Sequence, residues 1–236
     1  GADNFIGVGY GATASGNFTI AADPADVLPA GQVTLYGIDG PIPPDNIEYG
    51  SVQVTVVRVD SDGDGVTDFE EDGAPHGGDG NQDGTADRLQ SNVASLRSSP
   101  TEPYVTIAAA PQVTLTNVTA VANPAPGTSP ANVAFPLGFF RFDVSGVAAG
   151  GATTVSIYPA AGTAVNTYYG YGVTPENAAP HWYAFLLSGG TGATVLADRI
   201  DLRLVDGQRG DADPTASRRA WCWATVGTAT SSACRR

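Results

Sequence analysis

Acidic side chains recur at fixed spacing in residues 60–71, DSDGDGVTDFEE. The carboxylates stand at positions 1, 3, 5, 9 and 12 of this stretch, as Asp60, Asp62, Asp64, Asp68 and Glu71. Gly65 occupies position 6, where a calcium-binding loop turns sharply, and Val66 offers its main-chain carbonyl at position 7. Ca²⁺ takes about six to eight hard oxygen ligands, which alternate Asp side chains on a tight loop supply. The stretch therefore predicts a calcium site.

A second stretch, residues 79–90, repeats the pattern with two amides in place of carboxylates. Its predicted ligands are Asp79, Asn81, Asp83, the carbonyl of Thr85, Asp87 and Gln90. Because Gln90 replaces the bidentate Glu of the first stretch, we expect weaker binding here, unless this loop borrows Asp68 or Asp72 from its neighbour. The pair predicts two or three structural Ca²⁺ ions. The alternative is a solvated acidic linker without ions.

The segments that flank the first loop do not have the pattern of helices. Residues 51–59 alternate like a strand, and the Asp-Gly-Ala-Pro sequence after Glu71 ends any helix quickly. We therefore expect ions that hold a connection rigid, in contrast to a sensor that opens a groove. The two loops resemble thrombospondin type 3 and related bacterial calcium repeats, in which acidic loops share ions.

The negative charge of the chain is concentrated in these loops. The formal net charge is -13, and residues 60–87 hold ten acids and no base. An acidic chain whose bases are all Arg argues against nucleic-acid binding and against binding to anionic membranes. No run of about 18 apolar residues exists, so we expect no membrane insertion.

Turn-forming residues are frequent elsewhere in the chain, which contains 30 Gly and 17 Pro. This composition, with many β-branched residues, predicts an all-β protein. We expect three strands before residue 60 and about seven short strands between residues 104 and 205. The latter suggest a β-sandwich of Ig-like or jelly-roll type. We expect a small N-terminal β region that the calcium loops connect to this sandwich.

Four segments follow from this division of the chain. Residues 1–59 form the N-terminal β region, which has few strands for a stable sheet and could be completed by a neighbouring subunit. Residues 60–97 hold the tandem calcium loops, and residues 98–213 form the β-sandwich. Residues 214–236 form a C-terminal tail that contains Arg and Cys.

Several motifs resemble the bacterial choice-of-anchor U domain. They are QSNVASL at 90–96, FPLGFF at 135–140, NTYYGYG at 166–172, PHWY at 180–183 and the Asp-rich segment at 205–213. The resemblance spans about residues 58–213. It implies an extracellular β-rich module without enzymatic activity, near the C-terminus of an exported surface protein. Residues 217–236 depart from that family, since they carry four Arg, no acid and no hydrophobic sorting stretch.

Cys222 and Cys234 are the only cysteines of the chain. In an exported protein a disulfide between them is favoured, with an intermolecular bridge or free thiols as alternatives. The two His residues have structural interpretations: His76 as an exposed linker residue and His181 as a hydrogen-bonding residue. The sequence contains no nucleophile, metalloprotease or phosphate-loop motif, so we expect no enzyme.

Five aromatic residues form the best candidate for a ligand surface: Tyr168, Tyr169, Tyr171, Trp182 and Tyr183. Flat rings of this kind stack on sugars. The favoured alternative is a packing cluster in the core or at its rim.

These features together predict a calcium-stabilised structural protein at the cell surface or outside the cell. The chain begins at Gly1, which suggests a removed signal peptide. We expect the protein to assemble with itself into a filament or surface layer, with strand exchange between subunits as one route. The alternatives are an adhesion or glycan-binding module, and a non-catalytic piece of a larger secreted enzyme.

Overall fold

The computed structural model describes residues 58–99 and 102–211 with their side chains, and the backbone of strands at 31–39, 47–56 and 219–229. Strands account for 43% of the residues and helices for 10%, which confirms the all-β class. In chain order, the described strands are β1 (Gly31–Asp39), β2 (Ile47–Val56), β3 (Val93–Arg97), β4 (Tyr104–Ala109), β5 (Thr114–Val121), β6 (Val133–Ala134), β7 (Phe139–Ser145), β8 (Ala152–Pro159), β9 (Thr167–Thr174), β10 (Asn177–Ala184), β11 (Gly192–Val195), β12 (Ile200–Val205) and β13 (Arg219–Ala229).

Strands β1 and β2 form an antiparallel two-stranded sheet with a register shift between Gly37 and Ile38. They match two of the three strands that the sequence predicts before residue 60, and the other, at residues 18–22, lies outside the described residues. Completion of this sheet by a neighbouring subunit stays a prediction.

The remaining strands form two antiparallel sheets. The first sheet has the order β11-β12-β8-β4-β3 and the second the order β10-β9-β13-β7-β5, with β6 paired to β13. Strand β3, which the sequence division grouped with the calcium loops, is hydrogen-bonded to β4 along its length. It is thus an edge strand of the first sheet.

Strand β13 comes from the segment that the sequence division treated as a tail. It pairs with β7 on one side and with β9 on the other, with an irregularity between Trp221 and Ala224. The residue pattern of this segment gave no strand prediction because Trp, Cys and Arg interrupt the alternation. Cys222 lies in β13, whereas Cys234 lies outside the described residues, so the disulfide stays a prediction.

One buried apolar cluster takes side chains from both sheets. Strand β7 alternates, with Phe140, Phe142 and Val144 buried, and β12 likewise buries Ile200 and Leu204. Such alternation is expected where one face of each sheet is packed and the other faces solvent. The Ig-like or jelly-roll type of β-sandwich stays a prediction.

Short helices and turns are confined to the loops. They are α1 (Asp68–Asp72), the turn α2 (Pro75–Gly78) and two 3₁₀ turns, Asp87–Leu89 and Pro126–Thr128. The turn α2 is left-handed, with φ of 60° at His76 and 76° at Gly77. Within the described residues, none of the helices has the length and apolarity needed to cross a bilayer.

The acidic segment, residues 58–92, lies against the edges of both sheets. The amide of Val118 on edge strand β5 donates to the carbonyl of Asp64 at 2.9 Å. The amide of Ser95 on edge strand β3 donates to Glu71 Oε1 at 3.3 Å. An edge strand has no neighbouring strand on its outer side, so each of these amides would otherwise be unpaired. The segment therefore caps neighbouring edges of the two sheets.

Candidate metal centre

The first loop, residues 60–71, is wound by hydrogen bonds from its own amides to its acids. Asp60 Oδ1 accepts from the amide of Gly63 at 2.8 Å, and Asp62 Oδ1 accepts from the amide of Asp64 at 3.3 Å. Asp64 Oδ1 accepts from the amide of Val66 at 2.7 Å. The three carboxylates converge, because one oxygen of each lies within 4.8 Å of the other two.

The second loop, residues 79–90, repeats this framework at equivalent positions. Asp79 Oδ1 accepts from the amide of Asp83 at 3.0 Å, and Asn81 Oδ1 accepts from the same amide at 3.2 Å. Asp83 Oδ1 accepts from the amide of Thr85 at 2.9 Å. The repeat in the sequence is therefore a repeat in backbone geometry.

The ninth residue of each loop accepts from the amide of the second. Asp68 Oδ1 takes the amide of Ser61 at 2.7 Å and its Oδ2 takes the Ser61 hydroxyl at 2.6 Å. These bonds to Ser61 are the main reason why the pKa of Asp68 is below its usual value. Asp87 Oδ2 takes the amide of Gly80 at 2.9 Å. Asp68 thus has both oxygens engaged, whereas Asp87 keeps one oxygen for another partner.

Glu71, the last residue of the first loop, is fully buried. Its Oε1 accepts from the Ser95 amide and its Oε2 has no hydrogen-bond partner. The pKa of Glu71 is raised to about 9, mainly by burial and in addition by the nearby carboxylates of Asp64 and Asp62. A carboxylate in this place costs free energy unless a cation accompanies it.

Asp64 has the same character. It is fully buried, and its Oδ2 has no hydrogen-bond partner. Burial is the main cause that raises the pKa of Asp64 to about 8, and the carboxylates of Asp62, Asp60 and Asp87 add to it. Asp87, from the second loop, is thus one of the negative charges that act on Asp64.

Asp87 shares a hydrogen-bonding residue with the first loop, because Ser95 also contacts Glu71. It is fully buried, it accepts from the Ser95 hydroxyl at 2.6 Å, and its Oδ1 has no hydrogen-bond partner. Burial is the main reason why its pKa is raised. Asp68 is bonded to Ser61 and Asp72 lies 2.9 Å from Arg88, so the borrowing of either acid by the second loop stays a prediction.

The donor set fits a hard divalent cation. Within the two loops, four buried carboxylate oxygens lack a hydrogen-bond partner: Asp62 Oδ2, Asp64 Oδ2, Glu71 Oε2 and Asp87 Oδ1. All four are oxygens, the ligand type that Ca²⁺ and Mg²⁺ prefer over zinc or copper. Buried charges in proteins are normally paired or coordinate metals. The geometry therefore has the property that a calcium loop requires.

The second loop is closed by its own amides. Gln90 Nε2 donates to Asp83 Oδ1 and to the carbonyl of Thr85, both at 3.2 Å. Asn81 Nδ2 donates to Asp83 Oδ2 at 2.9 Å. These donors occupy oxygens that were predicted to bind an ion, so an ion here must first displace them.

A hydroxyl pair beneath the loops was missed by the sequence analysis. Ser95 Oγ lies 2.6 Å from Thr106 Oγ1, and both residues are buried at a cross-strand pair of β3 and β4. A Cβ on Gly80 would collide with both hydroxyls, which explains Gly at this position of the second loop. The only sequence signal was a Ser inside an otherwise apolar strand.

The first loop is fixed to the second sheet by a close backbone approach. A Cβ on Gly65 would lie 2.9 Å from the nitrogen of Val118, and the φ of Gly65 is +107°. Val66, the next residue, is buried in the core cluster shared by the sheets. The loop is therefore part of the packed structure and not a free linker.

The five aromatic residues do not form one surface. Tyr168 is buried in the core, and Tyr183 packs against that core beside Phe185. On the other face of the sheet, Trp182 stacks on Phe135 at 5.7 Å and donates Nε1 to a backbone carbonyl at 3.2 Å. These contacts are those of packing clusters, the alternative that the sequence analysis favoured.

Tyr169 and Tyr171 belong to the same aromatic group as Trp182 and Phe135. Tyr169 meets Phe135 edge-on at 6.4 Å, and Tyr171 meets Trp182 at 5.2 Å. Tyr169, Tyr171 and Trp182 are all half-buried. The expected structural roles of the two histidines agree with their positions, since His76 is exposed and His181 Nδ1 lies 2.9 Å from the carbonyl of Ala179.

A cleft of about 350 Å³ lies beside the first loop. Its lining includes the backbone around Val66, the edge of β5 at Val118, and an ion pair in which Arg97 Nε lies 3.1 Å from Glu70 Oε1. Glu70 is the one carboxylate among the residues that line this cleft, and it is already paired.

No family model, curated protein or solved structure matches this chain. The resemblance to the choice-of-anchor U domain and to thrombospondin type 3 repeats stays a prediction from residue motifs. The metal centre is accordingly interpreted from its own geometry: two loops of equal framework, one with buried acids and one closed by amides.

Proposed function

We propose that the protein is a calcium-stabilised structural protein whose acidic segment binds Ca²⁺ and thereby fixes the edges of two β-sheets. The observations that carry this proposal are the convergence of Asp60, Asp62 and Asp64 and the buried, unpartnered oxygens that both loops contribute. In water such oxygens would be solvated, and in a protein without an ion they would have to be protonated. Bound Ca²⁺ would supply the positive charge that lets them stay ionised.

Six groups would hold the first ion. They are the side chains of Asp60, Asp62, Asp64, Glu71 and Asp87, and the carbonyl of Val66. Asp68 would act only through a water, as the ninth residue of such loops often does. A second, weaker ion would use Asp79, Asn81, Asp83, the carbonyl of Thr85 and the oxygen of Gln90 after its amide turns over.

A structural role suits these loops better than a sensor role. The first loop is tied to β5 through Val118 and to β3 through Ser95, and Val66 lies in the core. A sensor must change shape when the ion binds. A loop held at three places by packed strands has little freedom to do so, and the ion instead stabilises the folded state by mass action.

Thermal unfolding with and without Ca²⁺ tests the proposal. Excess Ca²⁺ should raise the melting temperature of the chelated full chain by several degrees, and calorimetric titration should show uptake of two or three ions. Asp64→Asn should abolish most of the shift. Asp198→Asn is the matched control, because Asp198 is an exposed acid paired with Arg199 at 3.1 Å. Identical melting curves in Ca²⁺ and chelator would overturn the proposal.

We further propose that this module works outside the cell or at its surface and assembles with copies of itself, without catalytic activity. Among the described strands, β1 and β2 pair only with each other, and a two-stranded sheet of this kind is marginal in water. Strand addition from another copy would complete it. Electron microscopy of the purified chain in Ca²⁺ tests this, and a field of dispersed monomers would contradict it.

The alternative, an adhesion or glycan-binding module, has weaker support. It needs an open aromatic face, whereas Trp182 is covered on one side by Phe135 and its Nε1 is already hydrogen-bonded. Tyr169→Ala would decide between the two proposals, since loss of retention on a polysaccharide column with an unchanged melting temperature would favour adhesion.

A further inference from the structure

One residue of edge strand β3 contacts the acids of both loops. The Ser95 amide donates to Glu71 Oε1 of the first loop at 3.3 Å, and the Ser95 hydroxyl donates to Asp87 Oδ2 of the second loop at 2.6 Å. Ser95 is itself fully buried. It is thus placed between two loops that are separate in the sequence.

Thr106 determines the direction of the hydrogen bonds at Ser95. A hydroxyl has one proton, and Ser95 gives its proton to the carboxylate of Asp87, which when ionised can only accept. Thr106 Oγ1, 2.6 Å from Ser95 Oγ, must therefore donate to Ser95. The result is a buried chain of donors from Thr106 through Ser95 to Asp87.

Glu71 and Asp87 are each hydrogen-bonded to Ser95 through one carboxylate oxygen, and the other oxygen of each has no partner. Glu71 uses Oε1 and keeps Oε2, while Asp87 uses Oδ2 and keeps Oδ1. The free oxygens are two of the four that the metal centre offers. Ser95 therefore sets the orientation of one ligand from each loop.

We propose that Ser95, supported by Thr106, is a positioning residue that couples the two calcium loops, so that they take up Ca²⁺ together and not independently. This inference rests on the proposed function. Residues that orient metal ligands typically contribute tenfold or more to affinity, because a ligand without its partner samples unproductive orientations. The coupling follows since one residue serves both loops, with its amide on the first and its hydroxyl on the second.

Calorimetric Ca²⁺ titration of the full chain and of single variants tests the coupling. Ser95→Ala should weaken binding about tenfold and turn one cooperative transition into two separate steps. Ser95→Thr restores a hydroxyl and should recover most of the affinity. Thr106→Val keeps the shape of the side chain but removes the donor, so it should weaken binding by a smaller factor.

Ser156→Ala is the matched control. Ser156 Oγ donates to Asp201 Oδ1 at 2.8 Å on β8 and β12, the same chemistry in a place without calcium loops. It should leave the binding isotherm unchanged even if it lowers the melting temperature in chelator. Melting temperatures in chelator report the purely structural contribution of each hydroxyl.

The outcomes separate the two proposals. Absence of Ca²⁺ uptake by the unmodified chain would overturn the proposed function. Uptake by the unmodified chain with an identical isotherm for Ser95→Ala would overturn only the coupling. Weaker binding in Ser95→Ala that Ser95→Thr fails to recover would also overturn it, because the effect would then come from core packing and not from the hydroxyl.

Discussion

The two acidic loops share one framework and differ in what closes it. In both, the first, third, fifth and ninth side chains accept hydrogen bonds from amides of the same loop. In the first loop the twelfth residue is Glu71, which is buried with an oxygen that has no partner. In the second it is Gln90, whose amide donates to Asp83 and to the Thr85 carbonyl.

The comparison teaches that a single atom type at the twelfth position decides whether a loop needs an ion. A carboxylate can only accept when ionised, so it adds negative charge to an acidic ring. An amide can also donate, so it supplies hydrogen bonds to the oxygens of its own loop. The twelfth residue of the first loop therefore keeps an unpartnered oxygen, whereas that of the second closes its loop by hydrogen bonds.

The largest expected effect is a pH dependence that belongs to the first loop. In chelator, the folded-state pKa values of Asp64 (about 8) and Glu71 (about 9) lie above their unfolded values of 3.8 and 4.5. The folded state then binds more protons, so stability is full below pH 4 and is lost as pH rises towards 9. Urea unfolding in chelator should show a loss of several kcal/mol from pH 5 to pH 9, at about 1 kcal/mol per pH unit and group.

Two variants separate the loops in this measurement. Asp64→Asn should flatten the pH profile, and Asp83→Asn, from the hydrogen-bonded second loop, should leave its slope unchanged. Excess Ca²⁺ should oppose the loss, because the ion takes the place of the protons. A flat profile for the unmodified chain in chelator would remove the distinction between the loops.

Glu71→Gln makes the first loop resemble the second. It should remove about 3 kcal/mol of Ca²⁺-dependent stabilisation, the value that mass action gives at about 100 times the dissociation constant. In chelator the same variant should be more stable than the unmodified chain at pH 8, because Gln is buried without a proton whereas Glu71 must take one up on folding. Urea unfolding with and without Ca²⁺ measures both effects, and a variant that keeps its full Ca²⁺ response would contradict the role of Glu71.

Gly80→Ala tests the packing under the second loop. The added methyl group collides with the hydroxyls of Thr106 and Ser95, so we expect a loss of about 2 kcal/mol in the free energy of unfolding. The equivalent residue of the first loop is Ser61, whose side chain is exposed. Ser61→Ala should cost less than about 1 kcal/mol, because it loses only a surface hydrogen bond to Asp68. Equal losses in the free energy of unfolding would show that the second residue of each loop is packed equally tightly.

Gln90→Glu is the converse of Glu71→Gln and has the smallest expected effect. It should raise the affinity of the second site about tenfold, or about 1.4 kcal/mol, since a carboxylate binds the ion without donating to Asp83. The gain stays modest because the bond from Gln90 to Asp83 is exposed, so water screens a charge introduced there. Calorimetric titration measures this change in Ca²⁺ affinity. An unchanged second binding step would show that another residue of that loop limits the affinity.

Much of the first loop could be predicted from the sequence because its geometry is local. The spacing of Asp60, Asp62 and Asp64 encodes bonds between residues two to five positions apart. The all-β class followed similarly from composition and alternation. These features depend on neighbours that are adjacent in the chain.

The parts that could not be predicted depend on contacts between distant residues. The direction in which Asp87 turns is fixed by Ser95, and Ser95 becomes relevant only once β3 and β4 pair. Strand β13 was missed for the same reason: its partners β7 and β9 lie tens of residues away, and tertiary context overrides its weak alternation.

Strand β13 also imposes an order on the formation of the second sheet. It lies between β7 and β9, so the ladders β7-β5 and β10-β9 are joined only through it. Of the thirteen described strands it is the last to leave the ribosome, after both of its partners. The second sheet therefore closes only after synthesis of this strand, while the first sheet, which needs nothing beyond Val205, can pair earlier.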